Sequence, residues 1–389
     1  MWEQGIFDAA ATLSREGATA ATFTAAGKVR RGLQQAGFDT TKVPGFGRKR
    51  ESLRARRNGA AAPPTAPTET PWDLVDTTPE RPQHVVIIGA GLAGAWAAHA
   101  LASRGMPVTV LERDQVASGG SGNEQGILYS RLSHKHSTLV DFALHSYLFA
   151  CQQYRDLFAS GQLHTPGDGE LCGNLQLLSN DSDIAALREA LAGLEALAQL
   201  VDPQQASERV GTAVDAIGCW FPQSGWLHPP AVCRALLRHD AISLRENCGD
   251  VLLTRGDQGW LAVDQHGREL AAASCVILAG GTHTSGQLPW LPLRTIRGQT
   301  TQLPAVETAP QLRAAVCREG YIAPARQGNH CIGASFNLDC DETALRAADH
   351  RDNLAKVAAA LPEWRATLGT MDGAELDGRV GFRCASPDY

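Results

Sequence analysis

A run of four β-branched residues, Val85–Ile88, opens the most regular stretch of the chain. An unbroken apolar run of this length is typical of a parallel strand that is buried on both faces. The alanine-rich segment 92–104 predicts a helix, and the apolar run 108–111 predicts a second strand. The pattern therefore predicts a parallel strand–helix–strand unit over residues 84–113.

Periodic and alternating patterns continue downstream. Apolar residues at a 3.6-residue period predict helices, and short apolar runs bounded by glycine predict strands. Helices are predicted at 139–158, 183–200 and 341–361, and strands in a meander over 244–275, in a buried run within 272–281 and in an antiparallel pair at 294–302 and 320–336. In a two-pass nucleotide fold, such a buried run returns beside the first strand.

The N-terminal region shows only part of a fold. Residues 1–57 predict helices at 7–15 and 25–35, with Gly37 as a C-cap, an extended segment at 19–23 and a basic strand at 46–53. These elements are too few to close a doubly wound sheet, so we expect the tail of a larger domain. Residues 58–82, rich in Ala, Pro and Thr, predict a linker.

Three glycines at G-x-G-x-x-G spacing join the first strand to its helix. Gly89 permits a tight turn, Gly91 lets the backbone approach a pyrophosphate, and Gly94 allows close helix–strand packing. Glu112, at the end of the second strand, can accept hydrogen bonds from both ribose hydroxyls and would repel a 2′-phosphate. The motif predicts FAD or NAD binding and does not separate the two; the alternative is a turn that binds no phosphate.

A polar, glycine-rich loop, 117–126, follows the unit. Its four glycines and its Ser, Asn and Gln side chains suit close approach to a flat ligand, although a flexible surface loop would have the same composition. The aromatic turn at 219–230 is more typical of core packing than of a stacking platform.

Composition indicates a soluble, reduced enzyme. The chain has 389 residues, 43% hydrophobic and 20% charged, which is enough for more than one domain. Ten single cysteines lack zinc spacing, and His134-Lys135-His136 has no acid or cysteine cluster nearby, so we expect no metal. No signal peptide and no run approaching the ~20 apolar residues of a membrane span are found, and we expect a cytoplasmic protein with no membrane partner.

Charge is uneven along the chain. The net charge is −6, yet residues 1–60 hold eleven Lys and Arg against five acids. A basic N-terminal region on an acidic body hints at a polyanionic partner, and a solvated charged face is the alternative.

Five motifs together resemble the FAD-dependent amine oxidoreductases of the D-amino-acid oxidase and glycine oxidase type. They are GAGLAGA at 89–95, AGG at 279–281, IRGQ at 296–299, GYIAP at 320–324 and GFRCASPD at 381–388. The resemblance covers residues 83–389. It implies an α/β fold in which a Rossmann-type FAD-binding domain carries an inserted antiparallel-sheet substrate domain.

The loop ASGGSGNEQG, the end GRVGFRCASPDY and the N-terminal tail are similar to a narrower family, the bifunctional tRNA 5-methylaminomethyl-2-thiouridine biosynthesis proteins (MnmC type). There an S-adenosylmethionine (SAM)-dependent methyltransferase precedes the FAD oxidoreductase. The resemblance implies a methyltransferase remnant at 1–57, which lacks the SAM loop and should not methylate. It also implies FAD-binding parts at about 83–170, 215–285 and 372–389, a substrate subdomain at about 171–214 and 286–371, and a monomer. The family continues beyond this chain's last motif, so we expect a C-terminally truncated fragment.

FAD is the cofactor that the resemblance implies, with SAM used only by a full-length parent. The candidate FAD-binding residues are Gly89, Gly91, Leu92, Ala93, Gly94, Glu112, Arg113, Ser118, Ser121, Gly122, Asn123, Gln125, Gly126, Ala279, Gly280 and Gly281.

The activity implied by the resemblance is oxidative removal of the carboxymethyl group from 5-carboxymethylaminomethyl-2-thiouridine at the tRNA wobble position. A neutral amine loses hydride to flavin, and the imine hydrolyses to the 5-aminomethyl form and glyoxylate; no nucleophile or metal is required. Arg383 is implied as the carboxylate anchor, Tyr321 as a second candidate and Arg297 as a third. The Arg48-Lys49-Arg50 cluster is the best candidate for tRNA phosphate contacts.

Alternatives remain open at this stage. Arg383 could pair with an internal acid, and Tyr321 could be a core ring with a bonded hydroxyl. The protein could instead oxidise free glycine, sarcosine or a D-amino acid, or bind FAD without turnover.

Overall fold

A computed structural model describes residues 3–45, 49–58, 82–130, 132, 137–178, 181–256, 259–306, 309 and 311–386, without the side chains of 181–183. The chain divides into two compact units, Met1–Glu80 and Arg81–Tyr389. The predicted linker lies almost entirely outside the described residues, as do Arg48 and the final Pro387, Asp388 and Tyr389.

The first unit is a small α/β layer. Its elements are α1 (Gln4–Thr12), β1 (Thr19–Thr22), α2 (Gly27–Gln35), β2 (Phe38–Pro44) and β3 (Glu51–Arg57). The strands form an antiparallel sheet in the order β1-β3-β2. Phe7 and Leu33 of the helices pack against Phe38 and Leu53 of the sheet.

The sequence pattern predicted some of the helices and strands of this unit but not all of them. Both helices and β1 are confirmed, and Gly37 follows α2 with a φ of +85°, as the predicted cap requires. The strand β2 was not predicted, because its polar pattern FDTTKVP has little apolar alternation. Of the predicted strand at 46–53, residues 46–48 lie outside the described residues, and the strand in this region is found at Glu51–Arg57.

The second unit contains the remaining elements. Its helices are α3 (Leu92–Ala102), α4 (Thr138–Ala159), α5 (Asp181–Ala190), α6 (Pro203–Val210), α7 (Pro229–Leu236), α8 (Thr284–Gln287), α9 (Ala347–Ala360) and α10 (Arg365–Leu368). Its strands are β4 (Val85–Ile88), β5 (Val108–Leu111), β6 (Gly126–Leu128), β7 (Gly169–Glu170), β8 (Asn174–Leu177), β9 (Gln199–Val201), β10 (Gly218–Phe221), β11 (Gly225–Leu227), β12 (Ile242–Arg245), β13 (Leu252–Gly256), β14 (Gly259–Val263), β15 (Glu269–Ala273), β16 (Cys275–Leu278), β17 (Arg294–Pro304), β18 (Ala315–Cys317), β19 (Tyr321–Ile322), β20 (Asn329–Gly333), β21 (Asn337–Leu338) and β22 (Asp377–Ala385).

A four-stranded parallel sheet carries the predicted nucleotide-binding unit. Its order is β12-β5-β4-β16, and every neighbouring pair is parallel. Ile87 of β4 and Val110 of β5 are fully buried, in one core with Ala95 of α3 and Leu236 of α7. The predicted strand–helix–strand unit is confirmed, and the return strand β16 lies beside β4 as expected.

The second unit also contains a nine-stranded mixed sheet. From β22 it runs through β17 to β20, β19, β18, β8, β10 and β9, and the short β21 also pairs with β17. The helix α9 covers one face, where Asn353 bonds to Gln299 and Thr301 of β17. The antiparallel pairing of β17 with β20 is the pair predicted at 294–302 and 320–336.

Three features differ from the sequence analysis. The predicted helix at 183–200 ends as α5 at Ala190, because the chain turns through Gly193, whose φ is +80°, before entering β9. The predicted helix at 341–361 begins only at Ala347. Finally, β22 pairs with β17 in the nine-stranded sheet, where the sequence pattern predicted no strand.

Candidate functional site

The turn between β4 and α3 depends on the absence of side chains. Gly89 has a φ of +108°, and a Cβ there would lie 2.5 Å from the carbonyl oxygen of Ala279. A Cβ on Gly94 would fall deep inside the van der Waals radius of the Gly89 carbonyl oxygen. The two glycines therefore let β4, α3 and the end of β16 approach one another, as a dinucleotide fold requires.

The N-terminus of α3 faces the polar loop. The Leu92 amide donates a hydrogen bond of 3.0 Å to the Ser121 hydroxyl, and a Cβ on Gly91 would lie 3.0 Å from the same oxygen. An unpaired helix N-terminus attracts an anion, and the backbone here has no side chain between it and the loop. The Ser121 hydroxyl thus takes the place of an anion at this helix N-terminus, and a pyrophosphate bound there would accept from the Leu92 amide in its stead.

Glu112 lies at the carboxyl end of β5, beside the glycine turn. Its carboxylate accepts hydrogen bonds from the amides of Ala90, at 2.7 Å, and Asp114, at 3.1 Å. Since a carboxylate has about four acceptor positions, it retains capacity for ribose hydroxyls. The adjacent Arg113 is instead directed to His283 and to Asp250, so its side chain does not join the glycine turn.

The loop 117–126 is fastened by an arginine that the sequence analysis did not identify. Arg379 of β22 donates to the carbonyl oxygens of Ser118 and Gly119, at 2.5 and 2.6 Å, and lies 3.5 Å from the Asn123 side-chain oxygen. A Cβ on Gly122 would collide with its guanidinium. Four of the predicted loop residues are thus arranged around one cation.

Gln125 joins the same loop to the larger sheet. Its buried amide donates to the Pro324 carbonyl at 2.8 Å and accepts from the Cys331 amide at 3.0 Å. These contacts use both ends of the side chain and leave Gln125 a positioning role. Gly126 then begins β6, while Ala279, Gly280 and Gly281 follow β16 beside Gly89.

Arg383 and Tyr321 lie on one face of the nine-stranded sheet. Residues that pair directly across strands share a face, as do alternate residues of one strand. Arg383 pairs with Ile296 of β17. Thr300 lies four residues further along β17, on the same face as Ile296, and pairs with Gly333 of β20. Gly333 in turn pairs with Tyr321 of β19. Gly298 and Gly333 contribute no side chains between the two candidates.

This face is turned towards the glycine-rich loop. Arg379 pairs with Thr300 and therefore shares the face of Arg383, and it is Arg379 that reaches Ser118 and Gly119. The candidate substrate residues and the candidate cofactor loop consequently border one region of the second unit.

Arg383 has an available guanidinium. It donates to the Ser335 carbonyl at a long 3.4 Å and lies 5.6 Å from the centre of the Phe336 ring. Within the described ranges, no carboxylate lies at salt-bridge distance from it, so the alternative of an internal ion pair has no support there. An exposed fork of N–H donors without an acid partner suits bidentate carboxylate binding.

Tyr321 is a neutral phenol at physiological pH. Burial and the Cys331 thiol, 3.6 Å from the hydroxyl, raise the pKa of Tyr321 well above its ordinary value. The positive charge of Arg383 acts on that pKa in the opposite direction, which places the two groups within electrostatic reach. The phenol therefore keeps a proton that it can donate.

Arg297 does not join them. As the residue next to Ile296 it points to the opposite face, where it is 0% exposed and paired with Asp349 of α9. Its remaining donors are used by the Gln299 side chain and by the carbonyls of Glu342 and Ala344. These contacts contradict a substrate-binding role and make Arg297 a buried structural residue.

The described residues contain neither a metal site nor a membrane span. Among them, no group of three or more His, Cys, Asp and Glu side chains could hold a metal ion. No helix in those same ranges is long and apolar enough to span a membrane.

Comparisons with known proteins show the family to which the chain belongs. Residues 84–389 match the model of the FAD dependent oxidoreductase family, and residues 1–58 match that of an S-adenosyl-L-methionine-dependent methyltransferase family. The chain is similar to the tRNA 5-methylaminomethyl-2-thiouridine biosynthesis bifunctional protein MnmC of Chromobacterium violaceum (42% identity over 399 residues) and of Pseudomonas entomophila (39% over 396). All of this chain is covered, but only 59% of each of these curated relatives.

Solved structures show the same fold. The chain is similar to a glycine oxidase from Bacillus cereus, with a TM-score of 0.62, 19% identity and coverage of 78% of this chain and 83% of that one. It is also similar to an iminodiacetate oxidase from Chelativorans, with a TM-score of 0.61, 21% identity and coverage of 78% and 84%. The predicted D-amino-acid oxidase-like fold is confirmed.

Proposed function

The chain belongs to the FAD-dependent oxidoreductase family, and from that premise we propose that it oxidises the carboxymethylaminomethyl group of the tRNA wobble uridine. The carboxymethyl group of 5-carboxymethylaminomethyl-2-thiouridine would leave as glyoxylate, giving the 5-aminomethyl base. The observation that carries the proposal is the Arg383 guanidinium, which has no acid partner among the described residues and shares with Tyr321 the sheet face that borders the glycine-rich loop. The names of the longer relatives support tRNA as the substrate.

The residues of the glycine turn fit FAD. Gly89, Gly91 and the N-terminus of α3 would hold the pyrophosphate, and Glu112 would hold a ribose. When bound, FAD supplies the two-electron oxidation of the amine to an imine, which water hydrolyses to the primary amine and glyoxylate. SAM-dependent methylation of that amine would be the second step of a bifunctional protein, and the match of residues 1–58 to a methyltransferase family supports it.

Arg383 and Tyr321 have distinct roles in this proposal. The Arg383 guanidinium binds the substrate carboxylate through two N–H donors and so fixes the position of the adjacent carbon. The Tyr321 hydroxyl, protonated at neutral pH, donates a hydrogen bond to the same substrate. Neither side chain takes a covalent part, so their contribution is positioning and charge.

The test is the Arg383→Met variant, which keeps the aliphatic stem and removes the charge. We expect it to retain FAD and to lose about 100-fold in kcat/KM for tRNA carrying the carboxymethylaminomethyl group, since a charged hydrogen-bonded contact is removed. Arg255→Met is the matched control, because Arg255 is exposed and also lies beside an aromatic ring, that of Trp260.

Two results would contradict the proposal. Unchanged turnover of tRNA by Arg383→Met would remove Arg383 from the site. A wild-type protein that oxidises free glycine but leaves the modified tRNA intact would favour a free amino-acid oxidase.

A further inference from the structure

An exposed aromatic ring stands beside the candidate carboxylate anchor. Phe336 is 55% exposed, and its ring centre lies 5.6 Å from the central carbon of the Arg383 guanidinium. An exposed ring next to a candidate carboxylate anchor offers a ligand bound there an apolar surface that it can cover.

The backbone holds Phe336 firmly in this position. Immediately before it, the Ser335 amide donates to the Gln299 carbonyl at 3.1 Å, and the Ser335 hydroxyl accepts from the Gln299 amide at 3.0 Å. Immediately after it, β21 pairs with Ile296 and Arg297 of β17. The ring is thus carried between two attachments to a central strand, which lowers the entropic cost of binding against it.

A second apolar side chain extends this surface. Leu338 pairs with Ile296, which on its other side pairs with Arg383, so Leu338 shares the face of the anchor. It is also 55% exposed. Phe336 and Leu338 together present apolar surface at the side of the guanidinium.

We propose that Phe336 is a stacking surface for the pyrimidine ring of the nucleotide substrate; the inference rests on the proposed function. In that substrate a CH₂–NH–CH₂ chain separates the carboxylate carbon from the base, a reach of about 5 Å with ordinary single-bond lengths. A base whose carboxylate is bound by Arg383 therefore falls within reach of the neighbouring ring. Aromatic side chains bind unstacked bases in this way in single-stranded RNA.

This surface would distinguish a nucleotide from a free amino acid. Glycine and other small N-alkylglycines carry the carboxylate but no ring, so they can use Arg383 without using Phe336. Phe336 is accordingly a specificity-determining residue, and its removal should affect the two classes of substrate unequally.

The experiment compares two substrates in the full chain loaded with FAD. They are tRNA carrying 5-carboxymethylaminomethyl-2-thiouridine and N-ethylglycine, and the measured quantity is kcat/KM for each. Phe336→Leu keeps apolar bulk but removes the aromatic ring. We expect kcat/KM to fall by a factor at least about five times larger for tRNA than for N-ethylglycine, which is the smallest effect expected when a stacking ring is removed. Phe336→Tyr should restore the wild-type ratio.

The matched control is Phe142→Leu on α4, where another phenylalanine is 70% exposed. Its ratio of kcat/KM on tRNA to kcat/KM on N-ethylglycine should equal that of the wild type. Equal losses on both substrates, or no loss on tRNA, while wild type oxidises both, would overturn the stacking role alone. A wild-type protein that oxidises N-ethylglycine but not the tRNA would overturn the proposed function together with it.

Discussion

The guanidinium of Arg383 lies across the backbone of Gly298, where any side chain would displace it. Its partner across the face, Tyr321, is reached past Gly333, which likewise contributes no side chain. Gly298 of the IRGQ motif thus leaves the space that the guanidinium occupies, and Gly333 of β20 adds no side chain between it and Tyr321. Arg297, one position before Gly298, is directed to the other face by the alternation of the strand and forms part of the core.

Arg379 gives a separate prediction at the scale of a single residue. Arg379→Met removes the charged donors that bind the Ser118 and Gly119 carbonyls, and these hold the loop beside the candidate cofactor cradle. We expect the dissociation constant for FAD to rise about ten-fold, the effect of losing one charge-assisted contact. Equilibrium titration of the apoprotein with FAD measures it.

Arg238→Met is a suitable control for that experiment, because Arg238 is an exposed residue outside the loop and its sheet. Equal FAD affinity for Arg379→Met and wild type would show that the loop needs no such attachment.

At the scale of the element, the two glycines Gly94 and Gly91 of the β4–α3 turn have different roles, one in folding and the other in cofactor binding. A Cβ on Gly94 meets the backbone of Gly89, which cannot move without breaking the turn, whereas a Cβ on Gly91 meets only the hydroxyl of Ser121. Two substitutions of the same size, three residues apart, should therefore have different consequences.

We expect Gly94→Ala to lower the unfolding free energy by more than about 3 kcal/mol, as overpacking against fixed backbone does. Gly91→Ala should fold normally but bind FAD at least about ten-fold more weakly, since the added methyl group narrows the approach to the helix N-terminus. Denaturant unfolding of the apoprotein and FAD titration distinguish the two effects.

Gly286→Ala in α8 is the control, because no atom lies within 4 Å of the added Cβ and its φ is not left-handed. Loss of FAD binding without loss of stability in Gly94→Ala would contradict the assignment of Gly94 to helix–strand packing.

Elements built from local patterns were predictable from the sequence. The β4–α3–β5 unit and the long α4 are each displayed by a continuous local pattern, and the glycine spacing indicated what the turn could bind. Where a distant contact decided the structure, local patterns failed: the apolar residues after Ala190 continue a helical period, yet the chain turns at Gly193 to add β9 to a sheet.

At the scale of the whole molecule, the site depends on pairings that the sequence does not display. Arg383 and Arg297 belong to similarly conspicuous motifs, and only the register of β22 against β17 shows that they face opposite ways. The same register reveals Arg379, whose spacing of four from Arg383 could have indicated a shared face once 377–385 was recognised as a strand.

Exposed basic side chains are concentrated in the first unit. Arg54 and Arg56 of β3 are exposed on the central strand of the first unit, near Lys49 and Arg50 in sequence. The basic N-terminal region thus presents cations to solvent along one strand, which is consistent with a polyanionic substrate such as tRNA.

The most direct measurement of the central claim is the visible flavin spectrum of the FAD-loaded chain during anaerobic mixing with substrate. We predict that tRNA carrying 5-carboxymethylaminomethyl-2-thiouridine bleaches the flavin band and releases one glyoxylate per flavin reduced, whereas unmodified tRNA leaves the band unchanged. A band that persists with the modified tRNA, or that only free glycine bleaches, would contradict the account.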